Sequence, residues 1–195
     1  MTIYQAAAVV ARFLEGQGVP YAVLGGVAVQ HWGEPRTTRD VDVVVMVPSQ
    51  KLDDFLNAAV RRFRPRLPDA LTFARRNHIL LISTEDDIPV DISLGIPGYE
   101  EEAIRRAVPV SFSGLPPIRL LSPEDLIIHK SVAGRPRDLE DIERILVRQR
   151  LKLDLPYIRK WVRAFAPAVE DHDVRNLLEN ALKKARAAVR KIARR

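Results

Sequence analysis

Two aspartates two residues apart, Asp40 and Asp42, open the apolar run Val41 to Val47. In a β-strand that spacing puts both side chains on one face. Adjacent carboxylates repel each other and lose hydration there, so an apolar strand has little structural reason to carry them. A divalent cation supplies one. Upstream, Tyr21-Ala22-Val23-Leu24 runs into Gly25-Gly26. A glycine pair between a strand and a helix lets backbone N–H groups approach phosphate oxygens at the helix N-terminus, where the dipole also favours anions. A third carboxylate, Asp91, sits in the run from Ile88 to Leu94, on the face opposite Ile88, Val90, Ile92 and Leu94.

Three carboxylates on two strands of one sheet could hold two Mg²⁺ ions about 3.5–4 Å apart, polarising a phosphoryl centre and stabilising a leaving group. Magnesium takes few carboxylates and completes its shell with substrate phosphates and water, which suits an all-acidic donor set. Arg36, Arg39 and Lys130 are cations available for the remaining phosphate charge. Each feature also has a plainer explanation. Asp40 and Asp42 could pair with Arg36 and Arg39, Asp91 could face solvent, and Gly25-Gly26 could be a simple turn. Lys130 could be a solvated lysine favoured by a helix C-terminus. Asp138 and Asp141 read as a helix cap and an ion-pair partner, to Arg137 or Arg144, and not as catalytic groups. His31, His78, His129 and His172 lack metal-ligand spacing. Gly16-Gln17-Gly18 precedes a strand and has no third glycine, so it is no dinucleotide fingerprint.

The elements that position these groups follow from cap and period signals. Thr2 caps a helix over 3–15 that ends at Gly16. Strands are expected at 20–24 and 41–47, with a short helix from Val27 to Trp32 between them. Pro48 stops the second strand, and Ser49 caps a helix over 50–62 with the stripe Leu52, Phe55, Leu56, Ala59 and Val60. Residues 61–69 read as loop. Strands at 78–83 and 88–94 flank the acidic turn 84–87. A helix over 99–107 and a strand at 108–112 lead to Gly114-Leu115-Pro116-Pro117, taken as a boundary between a core, 1–115, and a helical lobe, 116–195. Beyond it the pattern is wholly helical: 123–132 behind the Ser122 cap, 138–148, 155–165 and 168–193.

At 195 residues, with 47% hydrophobic and 29% charged side chains, the chain can bury one good core. It has no cysteine, which excludes disulfides and thiolate chemistry. No apolar run approaches the ~18 residues that span a bilayer, and no signal peptide is recognisable, so no membrane association and a cytoplasmic location are expected. Of the net charge of +6, much lies after Glu179, where Lys183, Lys184, Arg186, Arg190, Lys191, Arg194 and Arg195 follow with no acid between them. Such a tail suits a polyanion, or a solvated helix face.

Leu24-Gly25-Gly26, thirteen residues, then Asp40-Val41-Asp42-Val43 resembles the signature of the polymerase-β-like nucleotidyltransferase superfamily, with Asp91 in the place of its third carboxylate. The run Leu121 to Lys130, continuing through Arg135-Pro136-Arg137-Asp138 to Asp141-Ile142, resembles the helical half of the AbiEii-type group; Arg36 and Thr38 fit that group as well. The likeness covers roughly residues 20–147. It implies an α+β fold, a small mixed sheet with flanking helices followed by a C-terminal helical lobe. It also implies a Mg²⁺-dependent (or Mn²⁺-dependent) transfer of a nucleoside monophosphate from an NTP to an acceptor hydroxyl. Asp40 and Asp42 would bind both metals, and Asp91 would bind one or act as general base. Gly25 and Gly26 would cradle phosphate, and Lys130 would contact the nucleotide. Members include toxins of toxin–antitoxin pairs that modify RNA, so RNA or tRNA at the basic C-terminal helix and an antitoxin protein are the partners implied. The alternative is a non-catalytic nucleotide-, RNA- or partner-binding protein on the same fold.

Overall fold

The computed structural model of the protein describes residues 1–192. Helix α1 (Ile3–Gly16) begins in a reciprocal capping box: the Gln5 N–H donates to the Thr2 hydroxyl, and the Thr2 N–H donates to the Gln5 side chain. Gly16 is still helical, and the left-handed residue that turns the chain out is Gly18. Strand β1 (Tyr21–Leu24) passes directly into α2 (Gly25–Trp32), which starts at the glycine pair, earlier than expected. Strand β2 (Val41–Val45) follows.

Ser49 does not cap the next helix. Ser49–Lys51 forms a single 3-10 turn, and α3 (Leu52–Arg62) starts at Lys51 without a side-chain cap. Asp53 and Asp54 in its first turn and Arg61 and Arg62 in its last complement the helix dipole instead. The expected loop contains β3 (Arg64–Pro65), and an unanticipated helix, α4 (Ala70–Asn77), comes next. Only Ala70 and Ala74 of α4 are buried, so its apolar stripe is too small to mark it in sequence. Strands β4 (Ile79–Ser83) and β5 (Pro89–Leu94), helix α5 (Tyr99–Arg105) and strand β6 (Val108–Val110) stand close to where their patterns put them. The chain does not then become wholly helical: β7 (Ile118–Leu120) pairs parallel to β1 through Val23 and Leu120.

The strands among the described residues form one mixed sheet in the order β3-β4-β5-β2-β1-β7-β6. β2 lies at its middle, antiparallel to β1 and parallel to β5. Val41, Val43, Val44 and Val45 are accordingly buried on both faces.

The chain divides into two compact units, one made of Met1–Val27 and Thr37–Leu121, the other of Ala28–Arg36 and the chain from Ser122 onward. The first holds the whole sheet. The second is helical, with α6 (Pro123–Ala133), α7 (Pro136–Arg148), α8 (Leu155–Phe165) and α9 (Val174–Ile192). Ser122 and Asp154 cap α6 and α8, each with proline in the first turn. α9 starts later than expected, because Ala166–Ala168 is a separate 3-10 turn. Its seam of Val174, Leu177, Leu178, Ala181, Leu182 and Ala185 is buried, while Lys184 reaches Glu143 on α7 at 2.7 Å. Ala193, Arg194 and Arg195, counted in the expected helix or basic tail, lie outside the described residues. No helix among the described residues is long and apolar enough to cross a membrane. The α+β architecture matches the expectation.

Candidate active site

Strand register brings the three aspartates into one neighbourhood of the first unit. Asp42 pairs with Leu24 on β1 and with Asp91 on β5, and Asp91 pairs with Leu81 on β4. The Arg66 N–H donates to the Leu81 carbonyl at 3.0 Å. A single row therefore crosses the sheet from Arg66 through Leu81, Asp91 and Asp42 to Leu24, where the chain turns through the glycines. In parallel strands, register partners share a face, so Asp42 and Asp91 lie side by side, with Asp40 two residues ahead of Asp42.

Both glycines are required by what lies against them. At Gly25, φ is +59°, and a Cβ there would come 1.8 Å from Asp42 Oδ2. At Gly26 a Cβ would come 2.1 Å from Thr38 Oγ1. The Thr38 hydroxyl in turn donates to Asp40 Oδ1 at 3.0 Å. The glycine pair is thus the floor on which Asp42 and Thr38 rest, and Thr38 orients Asp40. Arg39, beside them in sequence, is exposed.

Asp91 is half-buried and forms an ion pair with Arg66. Burial pushes its carboxyl above the usual aspartate range; Arg66 pulls it back, and the Asp40 charge pushes it up again. Arg66 escaped the sequence reading. Its signal was the alternation of Arg62, Arg64 and Arg66, which pair with Glu85, Asp87 and Asp91 in turn. The donors around Asp40 and Asp42 are carboxylate and hydroxyl oxygens, chemistry that fits Mg²⁺, and the side-chain-free floor at Gly25 leaves room for the Asp42 carboxylate. Among the described residues no three His, Asp or Glu side chains are gathered closely enough to form a ready metal-binding group.

The other two expected nucleotide contacts, Arg36 and Lys130, belong to a buried ionic network in the second unit. Arg36 donates twice to Asp141, Nε to Oδ1 and NH2 to Oδ2, both at 2.9 Å. Lys130, only 7% exposed, lies 2.8 Å from Asp138 Oδ1 and 2.7 Å from Asp141 Oδ2. Arg135 also reaches Asp138, at 3.1 Å. Lys130 is thus no solvated lysine; Asp138 and Asp141 meet Lys130, Arg135 and Arg36, while Arg144 reaches Glu34 and Glu140. Burial alone would raise the Asp141 carboxyl, but hydrogen bonds and charge from Arg36 and Lys130 outweigh it and hold the group below its ordinary value.

A comparison with curated protein sequences finds no match. Among solved structures, an antigenic nucleotidyltransferase-like protein from Paracoccidioides brasiliensis is similar, at 17% identity and a TM-score of 0.59 over 95% of this chain and 91% of that one. At that identity the likeness is one of fold. The lincomycin-bound lincosamide antibiotic adenylyltransferase LnuA has 13% identity and a TM-score of 0.49, over 72% and 94% of the two chains. The Thermotoga maritima CCA-adding enzyme complexed with tRNA has 15% identity and a TM-score of 0.43, over 98% and 50%. The family model described as nucleotidyl transferase of unknown function matches residues 3–182; the match does not name the expected AbiEii type. With the glycine floor, the aligned carboxylates and this match over most of its length, the chain belongs to the DUF2204 nucleotidyl transferase family.

Proposed function

We propose that this chain transfers a nucleoside monophosphate from an NTP to an acceptor hydroxyl, releasing pyrophosphate, in a Mg²⁺-dependent reaction. The observation that carries this is the register of Asp42 with Asp91, at the strand end where Gly25 and Gly26 begin α2. Asp40, Asp42 and Asp91 would hold the metal, two Mg²⁺ ions or Mn²⁺. Bound there, it would supply charge neutralisation for the phosphoryl oxygens. The N–H groups at the start of α2 cradle the triphosphate, and exposed Arg39 meets its outer charge. Thr38 fixes the rotamer of Asp40. Asp91 would bind one metal or, in place of that, accept the proton of the attacking hydroxyl. Arg36 would have to give up Asp141, and Lys130 both Asp138 and Asp141, before either could meet phosphate.

RNA, with tRNA foremost, is the acceptor favoured by the exposed Lys183, Lys184, Arg186, Arg190 and Lys191 of α9. A small molecule or a protein hydroxyl is the other class. With RNA as target, the chain fits the toxin of a toxin–antitoxin pair, held by an antitoxin protein. The ion pair that engages Asp91 favours a second reading, a protein of the same fold that binds nucleotide, RNA or a partner without turnover.

Incubation with each α-³²P-labelled NTP, Mg²⁺ and a cell extract separated into RNA, protein and small molecules tests both. Label is expected in the RNA fraction and absent with Asp42→Asn, whose circular dichroism and melting should match wild type. Undiminished labelling by Asp42→Asn would remove the metal mechanism. Failure of the wild type to label any fraction would leave the non-catalytic reading.

A further inference from the structure

Arg62, Arg64 and Arg66 make a ladder of ion pairs with acids of the β4–β5 hairpin, but the third rung differs from the others. Arg62 and Arg64 meet Glu85 and Asp87, turn carboxylates whose side chains are 80% and 70% exposed. Arg66 meets a strand residue, and the two side chains of that rung are 31% and 29% exposed. Its backbone is fixed as well: Arg64 and Pro65 pair with Ser83 and Ile82, and the Arg66 N–H is bonded to Leu81. From that anchor the side chain spans the width of β4 to reach Asp91 Oδ1. The carboxylate it meets is the one in register with Asp42.

A partly exposed ion pair contributes little to stability, so the sheet does not depend on this rung. Its chemical consequence is larger. The Arg66 guanidinium donates through one nitrogen to Asp91 Oδ1, and a metal bound through that oxygen needs the same lone pairs. We infer that Arg66 competes with a divalent cation for Asp91, a positioning residue that sets how readily the third carboxylate is given up to metal. This rests on the metal-dependent reading above. A cation held by Asp91 would displace the guanidinium, so one positive group would replace another at the same carboxylate.

Mn²⁺ titration of the nucleotide-free full-length protein, followed by the electron paramagnetic resonance of free Mn²⁺, tests this without any activity measurement. Arg66→Gln should bind Mn²⁺ about two- to fivefold more tightly than wild type, the worth of a partly exposed ion pair. Arg66→Lys, which keeps a cation, should stay near wild type and serves where Arg66→Gln folds poorly, as judged by thermal melting. In an Asp91→Asn background, Arg66→Gln should change nothing. Unchanged or weaker binding by Arg66→Gln would overturn the inference. So would an equal gain in the Asp91→Asn background, which would assign the effect to bulk charge. Wild type binding Mn²⁺ while these variants fail the pattern sinks the role of Arg66 alone; wild type binding no Mn²⁺ sinks the metal reading with it.

Discussion

The carboxylate of Asp42 lies so close over Gly25 that a Cβ on the glycine would come 2.6 Å from Asp42 Cγ and nearer still to Oδ2. The glycine is also held at φ +59°, where an L side chain is strained. Sterics and backbone conformation therefore demand the same residue, and the position of the acid depends on the absence of one methyl group.

Gly25→Ala should separate stability from turnover. The left-handed backbone costs about 1–2 kcal/mol, readable in urea denaturation. Displacing the Asp42 carboxylate by about 1 Å should lower the rate of NTP labelling about 10²-fold. A variant that loses stability but labels at the wild-type rate would show that the floor does not set the carboxylate.

Lys130→Met should be among the most damaging single changes in the second unit. It removes from Asp138 and Asp141 the ammonium that reaches both, leaving Arg135 on the first and Arg36 on the second, and Asp141 is fully buried. Removing one partner from a buried ionic network costs about 3–5 kcal/mol. Equilibrium denaturation measures it, and a midpoint equal to wild type would assign no stabilisation to the lysine.

Mild acid should destabilise the protein through His129. Burial lowers this imidazole from 6.5 to about 4, with the Asp125 charge opposing the shift. The unfolded chain takes up the proton near the ordinary value while the folded chain refuses it. Stability is therefore lost as pH falls through that window, by about 3 kcal/mol in all. Asp141, held below its ordinary value, acts in the same direction at lower pH: its contribution is present above the unfolded pKa and is lost as pH falls through the folded one. Denaturation at a series of pH values should show the upper part of this slope vanish in His129→Leu and the lower part persist.

Asp42 and Asp91 were legible because a period of two is visible in sequence and each stands between apolar neighbours of its strand, with Asp40 one step further along the same period. Arg66 was not: the alternation of Arg62, Arg64 and Arg66 marks a row of cations, but which acid each one meets depends on which strands are adjacent and in what register. β7 is three residues long and α4 buries two alanines, so neither offers enough periodicity to be seen. The burial of Lys130 was hidden for a different reason. Asp125, Leu126, Ile127 and Ile128 are consecutive and all buried, so α6 is enclosed on every side and has no polar stripe against which to place a lysine.

The second unit takes residues from both ends of an interrupted stretch of chain, and that has a consequence for synthesis. Arg36 and Asp141 are separated by 105 residues. At about 5–20 residues per second, a ribosome needs about 5–20 s to make the chain between them. For the later part of that interval Ala28–Arg36 has left the exit tunnel with Asp141, Ile145 and Gln149 still unmade, although Arg36, Gly33 and Trp32 pack or bond against them in the finished fold. The helical unit therefore cannot close during elongation of its own first segment, and a fragment beginning at Ser122 would be born without the guanidinium that meets the fully buried Asp141.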